Sequence, residues 1–257
     1  MAGRLRNKVV IVTGSTQGIG RAVARLFLAE GAQVVLNSAH DDAHARAVRQ
    51  ELRGPSTLYL QADVADPAQV DAMVARTLER HGRIDVVINN AGVNVFADPL
   101  TMTAGQWRDC FAVDLDGAWN VARAVMPSML ERGSGNIVNI ASVHGHKIVP
   151  GCFPYPVAKH ALVGLTRSLG IEYAGRGIRV NSISPGLIMT ESAAAWLASR
   201  PDPQAERARQ ERLMPTRRIG VPDEVAYTAL YLASDEARVI NATDILIDGG
   251  RSQVYHD

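Results

Sequence analysis

The most constraining feature of the sequence is a regular alternation of short β-branched runs and longer segments with helical spacing. Seven runs have the length of strands and are nearly continuously apolar: KVVIVT (8–13), AQVVLN (32–37), STLYLQ (56–61), IDVVIN (84–89), NIVNIA (136–141), IRVNSI (178–183) and DILID (244–248). Continuous apolar runs suit strands that are buried on both faces. We therefore predict an α/β fold, a doubly wound parallel sheet of about seven strands with helices on both faces.

The length and composition agree with one domain of this kind. The chain has 257 residues, of which 47% are apolar and 21% are charged. A chain of this length can bury most of its surface without disulfides or metals. No internal repeat, low-complexity tract or interdomain linker interrupts the sequence, so we expect residues 1–257 to form a single domain.

Charge and cysteine content argue against several kinds of partner. The formal net charge of +1 gives no signal for nucleic acid or a membrane surface. No apolar run reaches the roughly 18 residues that a membrane span needs, and the run near the N-terminus is too short for a signal peptide. Cys110 and Cys152 lack metal-ligand spacing, so we expect no metal and two reduced thiols in a cytoplasmic protein.

A glycine-rich turn follows the first predicted strand. The stretch VIVTGSTQGIGRAVA reads strand, turn and helix, with Gly14, Gly18 and Gly20 in a GxxxGxG pattern. Glycines permit a tight turn and leave the N-terminus of the helix, with its unpaired N–H groups, facing an anion. The spacing differs from the GxGxxG dinucleotide fingerprint, so the glycines alone are also compatible with a turn that only packs helix on strand.

Small or polar residues recur where the other predicted strands end. Asp63 and Val64 follow the third strand, and NNAG (89–92) ends the fourth. Ser142 follows the fifth, and SPG (184–186) ends the sixth. The carboxyl ends of parallel strands meet at one edge of the sheet, where ligands of open α/β sheets bind. Together with the glycine turn, these strand ends predict a dinucleotide site.

The stretch FPYPVAKH, residues 153–160, places a phenol beside an ammonium group. Its two prolines suit the first turn of a helix, and Tyr155 and Lys159 share one face because they are four residues apart. A phenol has an unperturbed pKa of about 10. A cation about 4 Å away favours its ionised form by roughly 4 kcal/mol at an effective dielectric near 20. The pair is suited to relay a proton, although YxxxK alone is also typical of a surface pair.

Taken together, these motifs resemble those of the short-chain dehydrogenase/reductase family. The matching stretches cover nearly the whole chain: TGSTQGIG (13–20), NNAG (89–92), Ser142 thirteen residues before Tyr155, YPVAK (155–159), SPGLIMT (184–190) and IDGG (247–250). The resemblance implies a one-domain Rossmann-like fold, hydride transfer with NAD(H) or NADP(H), and a homotetramer or homodimer. The tail DGGRSQVYHD is also similar, more loosely, to bacterial sugar and sugar-acid dehydrogenases.

The resemblance implies a role for each motif residue. Tyr155 is expected to be the acid–base group, Ser142 to hold the reacting oxygen, and Lys159 to favour the ionised phenol and hold the nicotinamide ribose. The expected cofactor-binding residues are Gly14, Ser15, Thr16, Gln17, Gly18, Ile19, Gly20, Asn37, Ser38, Asp63, Val64, Asn90, Ala91, Gly92, Tyr155, Lys159, Pro185, Gly186, Ile188 and Thr190.

One position departs from the family pattern. The family carries a fourth catalytic residue, an asparagine, in the helix after the fourth strand, and here Asp114 stands in its place. An ionised aspartate accepts hydrogen bonds but donates none, and its charge partly offsets that of Lys159. We expect the proton relay to survive with an altered pH profile. An isosteric replacement of little consequence is the alternative.

The end of the second strand bears on the choice of cofactor. NAD enzymes usually place a carboxylate there for the ribose hydroxyls, whereas this chain has Asn37 and Ser38, with His40 nearby. These neutral groups would not repel a 2′-phosphate. No arginine follows directly, and Gln17 stands where NADP enzymes often have a basic residue. We therefore favour NADP(H), with NAD(H) or dual use as alternatives.

The substrate-binding residues are expected in the least patterned parts of the chain. The segment at about 190–214 is expected to form a substrate lid, with Trp196 able to close over a ligand and a solvated charged helix after it. Asn94, His144 and His146 are further candidates, beside Ser142 and Tyr155 themselves. Polar groups that converge on a site favour hydroxyl-rich substrates, although each histidine is equally typical of a loop cap.

Three functions are compatible with the sequence. The first is an NAD(P)-dependent oxidoreductase of a secondary hydroxyl on a sugar, polyol or sugar acid. The second is a reductase of 3-oxoacyl thioesters, which needs a basic docking face for an acidic carrier protein, with Arg132, Arg176 and Arg179 as candidates. The third is a dinucleotide-binding sensor without turnover, against which the intact Ser142, Tyr155 and Lys159 argue.

Overall fold

A seven-stranded, entirely parallel sheet forms the centre of the protein. The computed structural model describes residues 3–255, and the strands lie in the order β3-β2-β1-β4-β5-β6-β7. Their bounds are Val9–Val12 (β1), Gln33–Ser38 (β2), Thr57–Gln61 (β3), Val86–Asn89 (β4), Gly135–Ile140 (β5), Ile178–Pro185 (β6) and Asp244–Ile247 (β7). This topology confirms the predicted α/β class, and the strands fall within a few residues of the seven predicted runs.

Helices connect successive strands. Their bounds are Gly18–Ala29 (α1), Ala43–Glu51 (α2), Pro67–His81 (α3), Ala104–Phe111 (α4), Gly117–Glu131 (α5), Tyr155–Tyr173 (α6), Glu191–Ala198 (α7), Pro203–Leu213 (α8) and Pro222–Ala233 (α9). A π-helical turn, Ala112–Asp116, joins α4 to α5. The predicted helix ends are confirmed in α3, where Pro67 lies in the first turn and Gly82 closes the C-terminus in a left-handed conformation.

Two apolar layers cover the two faces of the sheet. Side chains alternate along a strand, so Val10 of β1 joins one apolar cluster and Ile11 the other. The first cluster includes Phe27 of α1, and the second includes Met73 of α3 and Met129 of α5. Burying one such side chain contributes about 1.5–3 kcal/mol. The strands are therefore apolar on both faces because helices cover both faces.

The strand order determines where a ligand can bind. The order in which successive strands join the sheet reverses at β1. Strands β2 and β3 extend the sheet on one side of β1, and β4 to β7 extend it on the other. In such sheets a crevice forms beyond the carboxyl ends of the strands at the reversal. The glycine turn follows β1 and the NNAG turn follows β4, so both lie at this crevice.

Membrane-spanning helices and metal-binding clusters are both absent from the residues that the structure describes. Within residues 3–255, no helix is both long and apolar enough to cross a membrane. No group of three or more His, Cys, Asp or Glu side chains in that part of the chain is arranged to hold a metal ion.

Candidate active site

The glycine turn after β1 is packed too closely for side chains. Gly14 and Gly18 have φ angles of +59° and +51°, a region that favours glycine. A Cβ on Gly14 would lie 2.9 Å from Ala91 Cα, and one on Gly20 would lie 2.3 Å from the Gly14 carbonyl oxygen. The turn thus brings backbone close to the N-terminus of α1, the arrangement that accepts a pyrophosphate.

Residues at the end of β4 fasten this turn in place. The Asn90 side-chain amide donates to the carbonyl oxygens of Thr13 (3.0 Å) and Gly14 (2.9 Å). In return, the Thr13 hydroxyl oxygen accepts from the backbone N–H groups of Asn90 and Ala91, each at 3.0 Å. Asn90, predicted along the cofactor, therefore also holds the two loops of the crevice together.

Tyr155 is the first residue of α6, and its ring is held by aromatic neighbours. Phe96 and His144 each contact it edge-on, with ring centroids 5.9 and 5.8 Å away. The loop that carries Phe96 is tied to the segment before α6, because Ala97 N–H donates to the Phe153 carbonyl oxygen at 2.7 Å. The phenol is thus half-buried in a fixed orientation.

Lys159 lies one turn further along α6, as predicted, and forms a buried ion pair. Its Nζ is 5.4 Å from the centroid of the Tyr155 ring and 3.0 Å from Asp114 Oδ1, with side chains only 5% and 0% exposed. Asp114 lies in the π-helical turn. The same Oδ1 accepts from Val93 N–H at 3.3 Å, and a Cβ on Gly92 would lie 2.8 Å from it. Asp114 is therefore a direct partner of the lysine.

The ion pair determines the protonation of its neighbours. Burial by itself would lower the pKa of Lys159, but the charges of Tyr155 and Asp114 outweigh burial, so its pKa is raised and the ammonium persists. Burial and then the Asp114 charge raise the pKa of the Cys110 thiol to about 12. Cys110 Sγ lies 3.8 Å from Asp114 Oδ2 as a donor. The cluster is thus a cation, an anion and a neutral thiol.

Ser142 is buried where β5 ends, beside the first turns of α6. Its Oγ accepts from His144 N–H at 3.1 Å and caps the 3₁₀ turn Val143–Gly145. That turn packs tightly on α6, since a Cβ on Gly145 would lie 3.0 Å from the Lys159 carbonyl oxygen. The turn therefore brings the hydroxyl of Ser142 to the helix that carries Tyr155 and Lys159.

The predicted substrate residues differ in their surroundings. His144 has a buried Nδ1 without a partner among the described residues, and burial, then the charges of Arg251 and His160, lower its pKa. His146 Nε2 instead lies 2.8 Å from the carboxylate of Asp244 on β7. Asn94 is exposed at the mouth of the crevice.

Trp196, the fourth predicted substrate residue besides Ser142 and Tyr155, lies on α7. It is partly exposed, and the Arg200 guanidinium carbon lies 5.0 Å from its ring centroid. The segment predicted as a lid contains α7 and α8, and α8 carries exposed pairs such as Arg209 with Glu206 at 2.7 Å. The second helix thus has the charged surface that the sequence predicts.

The two predicted phosphate donors at the end of β2 have partners within the protein. The buried Asn37 amide donates to the carbonyl oxygens of Leu60 (3.1 Å) and Ala62 (2.9 Å). The Ser38 hydroxyl donates to the His40 carbonyl oxygen at 2.8 Å and lies 3.0 Å from the Tyr59 hydroxyl. Asn37 therefore fastens β2 to the neighbouring strand β3, and only Ser38 remains near the surface.

The remaining predicted cofactor residues lie along the carboxyl edge of the sheet. The Asp63 carboxylate accepts from Ala65 N–H at 2.9 Å, and the buried side chain of Val64 packs on Gly117. Gly186, which follows Pro185 at the end of β6, donates to the Ile247 carbonyl oxygen at 2.8 Å. Two residues further on Ile188 is buried, and Thr190 caps α7. The predicted set thus spans the whole edge.

Sequence reasoning missed one group at the glycine turn. Glu191 Oε2 accepts from Gly18 N–H at 3.0 Å, and Oε1 lies 3.8 Å from Arg21. The first residue of α7 thus places a carboxylate at the N-terminus of α1. The partners are 173 residues apart, and no local pattern in the sequence points to the contact.

Comparison with known proteins places this geometry in a family. Residues 14–252 match the family model described as enoyl-(acyl carrier protein) reductase. Over 251 residues the chain is 40% identical to oxidoreductase UcpA of Salmonella typhimurium, a match that covers 96% of this chain and 95% of that protein. It is 37% identical to D-threitol dehydrogenase of Mycolicibacterium smegmatis over 250 residues, with coverage of 96% and 94%.

A solved structure agrees with these matches. The ligand-free aldohexose dehydrogenase of Thermoplasma acidophilum superposes with a TM-score of 0.90 at 34% identity, over 100% of this chain and 98% of that one. The chain belongs to the short-chain dehydrogenase/reductase family, as its motifs predict. It is therefore an NAD(P)-dependent oxidoreductase in reaction class.

Proposed function

We propose that the protein interconverts a secondary alcohol and its carbonyl, on a sugar, polyol or sugar acid, by a Ser142–Tyr155–Lys159 relay. One observation carries the proposal: a half-buried phenol lies over a buried lysine ammonium, 5.4 Å from ring centroid to Nζ. A phenol beside a persistent cation is suited to exchange a proton with a substrate oxygen. Asp114 takes part by holding that cation at 3.0 Å.

The residues of the crevice fit a nicotinamide dinucleotide. The glycine turn leaves no room for side chains at the N-terminus of α1, where phosphates bind, and the loops after β4 and β6 continue the same edge. In the proposal these loops hold the cofactor, with Lys159 near the nicotinamide ribose. When bound, the nicotinamide ring would accept the hydride that leaves the alcohol carbon, or supply the hydride that joins the carbonyl carbon in the reverse direction.

The chain's own residues manage the oxygen and its proton. In the oxidative direction, Tyr155 takes the hydroxyl proton as the C–H bond gives up its electron pair, and in the reductive direction it returns that proton. Ser142 donates a hydrogen bond to the same oxygen and holds it in place. The Lys159 ammonium favours the ionised phenol, and Asp114 keeps the ammonium oriented.

The choice of cofactor follows from the end of β2. Ser38 and Asn37 bring no negative charge to that strand end, which supports the preference for NADP(H). Asn37 itself contributes no donor to a phosphate in this proposal, because its amide hydrogens are used by Leu60 and Ala62. The preference therefore rests on the absence of repulsion at this strand end, with NAD(H) as the alternative.

The substrate class is supported by polar groups around Tyr155. The unpartnered Nδ1 of His144 and the amide of Asn94 suit hydroxyl-rich ligands. Two similar proteins are named for such ligands, a threitol dehydrogenase and an aldohexose dehydrogenase. A cytoplasmic homotetramer or homodimer of one-domain chains, with a lid at about 190–214, completes the proposal.

A thioester reductase is the second candidate, because the matching family model is described by an acyl-carrier substrate. Its docking face would need free arginines. Arg132 instead donates to the Ile84 carbonyl oxygen at 2.7 Å, and Arg179 donates to the Leu232 carbonyl oxygen at 2.7 Å. Only Arg176 of the three, which lies near the Tyr173 ring, remains available, so the sugar-type substrate is favoured.

The test follows nicotinamide absorbance with purified protein, NADP⁺ or NAD⁺, and a panel of sugars, polyols and hydroxy acids. We expect turnover of at least one member, lost by a factor of about 10²–10⁴ in Tyr155→Phe, with cofactor binding retained. Tyr227→Phe, an exposed tyrosine on α9, is the matched control. Turnover that persists in Tyr155→Phe contradicts the relay. A cofactor that binds without any turnover supports a sensor instead, and activity only with carrier-linked thioesters supports the second candidate.

A further inference from the structure

Within the part of the chain that the structure describes, Arg251 is a cation without a carboxylate partner. It begins the 3₁₀ turn Arg251–Gln253, directly after β7 and the glycine pair that follows it. Among residues 3–255, no carboxylate oxygen lies within 4 Å of its guanidinium, although lysine and arginine side chains form fifteen other ion pairs there. Its only side-chain hydrogen bond in that part of the chain is from Nη1 to Gln210 Oε1, at 2.9 Å.

The arginine is also half-buried and lies among other positive charges. Burial, then the charge of Arg209, lower its pKa, which the charge of Asp248 offsets only in part. Asp248 is committed elsewhere, since its carboxylate accepts from Gly250 N–H at 2.9 Å and from Ser252 N–H at 2.7 Å. A desolvated guanidinium with unused donors is costly unless an anion meets it.

Packing directs this turn to the substrate side of the crevice. A Cβ on Gly186 would lie 2.8 Å from Asp248 Cβ, so the segment before Arg251 packs on the loop after β6. Gln210, the hydrogen-bond partner of Arg251, lies buried on α8 of the predicted lid and donates to Glu206 at 2.8 Å. The arginine is therefore placed between the lid and the edge of the sheet.

His144 connects the arginine to the reacting centre. Its ring lies 5.8 Å from the Tyr155 ring, and it is near enough to Arg251 for that charge to lower its pKa. Its Nδ1 is buried without a partner in the described residues. Among the described residues, the His144 imidazole beside Tyr155 and the Arg251 guanidinium thus both keep polar atoms without a protein partner.

We propose that Arg251 binds the carboxylate of the substrate, so that the preferred substrates are hydroxy acids or their oxo forms rather than neutral polyols. The inference rests on the proposed function and names the substrate class within it. A guanidinium matches a carboxylate through two parallel N–H···O bonds. Gln210 is a positioning residue that holds one edge of the guanidinium, and His144 receives a hydroxyl nearer Tyr155.

The experiment compares matched acids and alcohols: gluconate with sorbitol, and threonate with threitol. Binding to the protein saturated with NADP⁺ is measured by calorimetry, and kcat/KM by nicotinamide absorbance. The variants are Arg251→Gln, Arg251→Lys and, as the matched control, Arg207→Gln, which removes an exposed charge of α8 that pairs with Glu211. Gluconamide, in which the carboxylate is replaced by a neutral amide, repeats the test on the unaltered protein.

We expect the unaltered protein to bind at least one acid more tightly than its alcohol. In Arg251→Gln, and for gluconamide in the unaltered protein, affinity should fall roughly 10- to 100-fold, the effect of losing a charged hydrogen bond. Sorbitol and threitol should bind Arg251→Gln unchanged, Arg251→Lys should retain part of the affinity for acids, and Arg207→Gln should retain all of it.

Other results separate the inference from the proposed function. If alcohols are turned over and acids are not preferred, or if Arg251→Gln weakens both classes equally, the inference is overturned while the function stands. Binding of acids that depends on Arg251 but leads to no turnover with either cofactor supports the inference and contradicts the function. If neither class binds, the inference is also overturned.

Discussion

The two buried or half-buried cations near Tyr155 have opposite surroundings. Lys159 is matched by a buried carboxylate of the same chain, Asp114, at 3.0 Å. Arg251 has a neutral amide at 2.9 Å and, within the described residues, no carboxylate. The Lys159 charge is permanently paired, because its counter-ion Asp114 belongs to the same chain. The Arg251 charge is left for a ligand to neutralise. The Lys159–Asp114 pair, called the closed pair below, thus serves the proposed reaction chemistry, whereas the unpaired Arg251 serves the proposed choice of substrate.

The closed pair can be broken by removing its anion. Asp114→Ala leaves the Lys159 ammonium buried and unpaired, and removing one member of such a pair costs about 3–5 kcal/mol of unfolding free energy. Denaturant titration measures this loss. Asp71→Ala, which breaks the exposed pair with Arg123 at 3.2 Å, serves as a control and should cost less than about 1 kcal/mol. Equal losses in the two variants would mean that the buried pair adds no special stability.

The same pair predicts how stability depends on pH. The pKa of Lys159 is raised above its ordinary value of 10.5 in the folded protein. Its contribution is therefore complete below pH 10.5 and is lost as the pH rises through the higher folded pKa. We expect the unfolding free energy to fall in that alkaline range, and to fall by less in Asp114→Asn, because loss of the Asp114 charge lowers the folded pKa of Lys159 towards its unfolded value. Coincident alkaline profiles would contradict this linkage.

Ser142 is a proposed catalytic residue that lies outside the Lys159–Asp114 pair. Ser142→Ala removes the hydroxyl that is proposed to hold the reacting oxygen and should lower kcat by about 10²–10³, as the loss of one such donor does. Cofactor affinity should change little. The control is Ser199→Ala, at the exposed end of α7. A loss confined to KM would show that Ser142 only binds the substrate.

Glu191 gives the smallest expected effect. Its carboxylate lies at the N-terminus of α1, 3.0 Å from Gly18 N–H, where a cofactor phosphate is proposed to bind. Glu191→Gln removes the negative charge and should tighten NADP⁺ binding roughly two- to fivefold, the effect of one charge at a helix terminus. Fluorescence titration measures this affinity. The control is Asp223→Asn. Asp223 lines the same cleft as Glu191 but pairs with Arg25, so its replacement should leave the NADP⁺ affinity unchanged.

The features that were predictable from the sequence depend on short spacing. Apolar runs indicated the seven strands, and the four-residue spacing of Tyr155 and Lys159 placed them on one face of α6. Gly82 indicated the end of α3 because a left-handed residue there needs no side chain. Each of these inferences depends on backbone geometry over one or two turns, which the local sequence determines.

The features that were missed depend on contacts between distant residues. The carboxylate of Glu191 meets Gly18 across 173 residues, and Asp244 meets His146 across 98. Asn37 looked like a phosphate donor because it ends the second predicted strand, but its amide donates to the carbonyl oxygens of Leu60 and Ala62 at the end of β3. Local sequence therefore predicted the candidate catalytic groups, while tertiary packing decided which polar groups remain open to a ligand.

The pH–rate profile of Asp114→Asn tests the central claim most directly, namely that Asp114 offsets the charge with which Lys159 acts on Tyr155. The amide keeps the shape of the side chain and removes its charge, so the lysine should favour the ionised phenol more strongly. We predict that the acid limb of kcat/KM for alcohol oxidation moves to lower pH, with the maximal rate within a few-fold of the unaltered protein. A profile that superposes on that of the unaltered protein would contradict the claim.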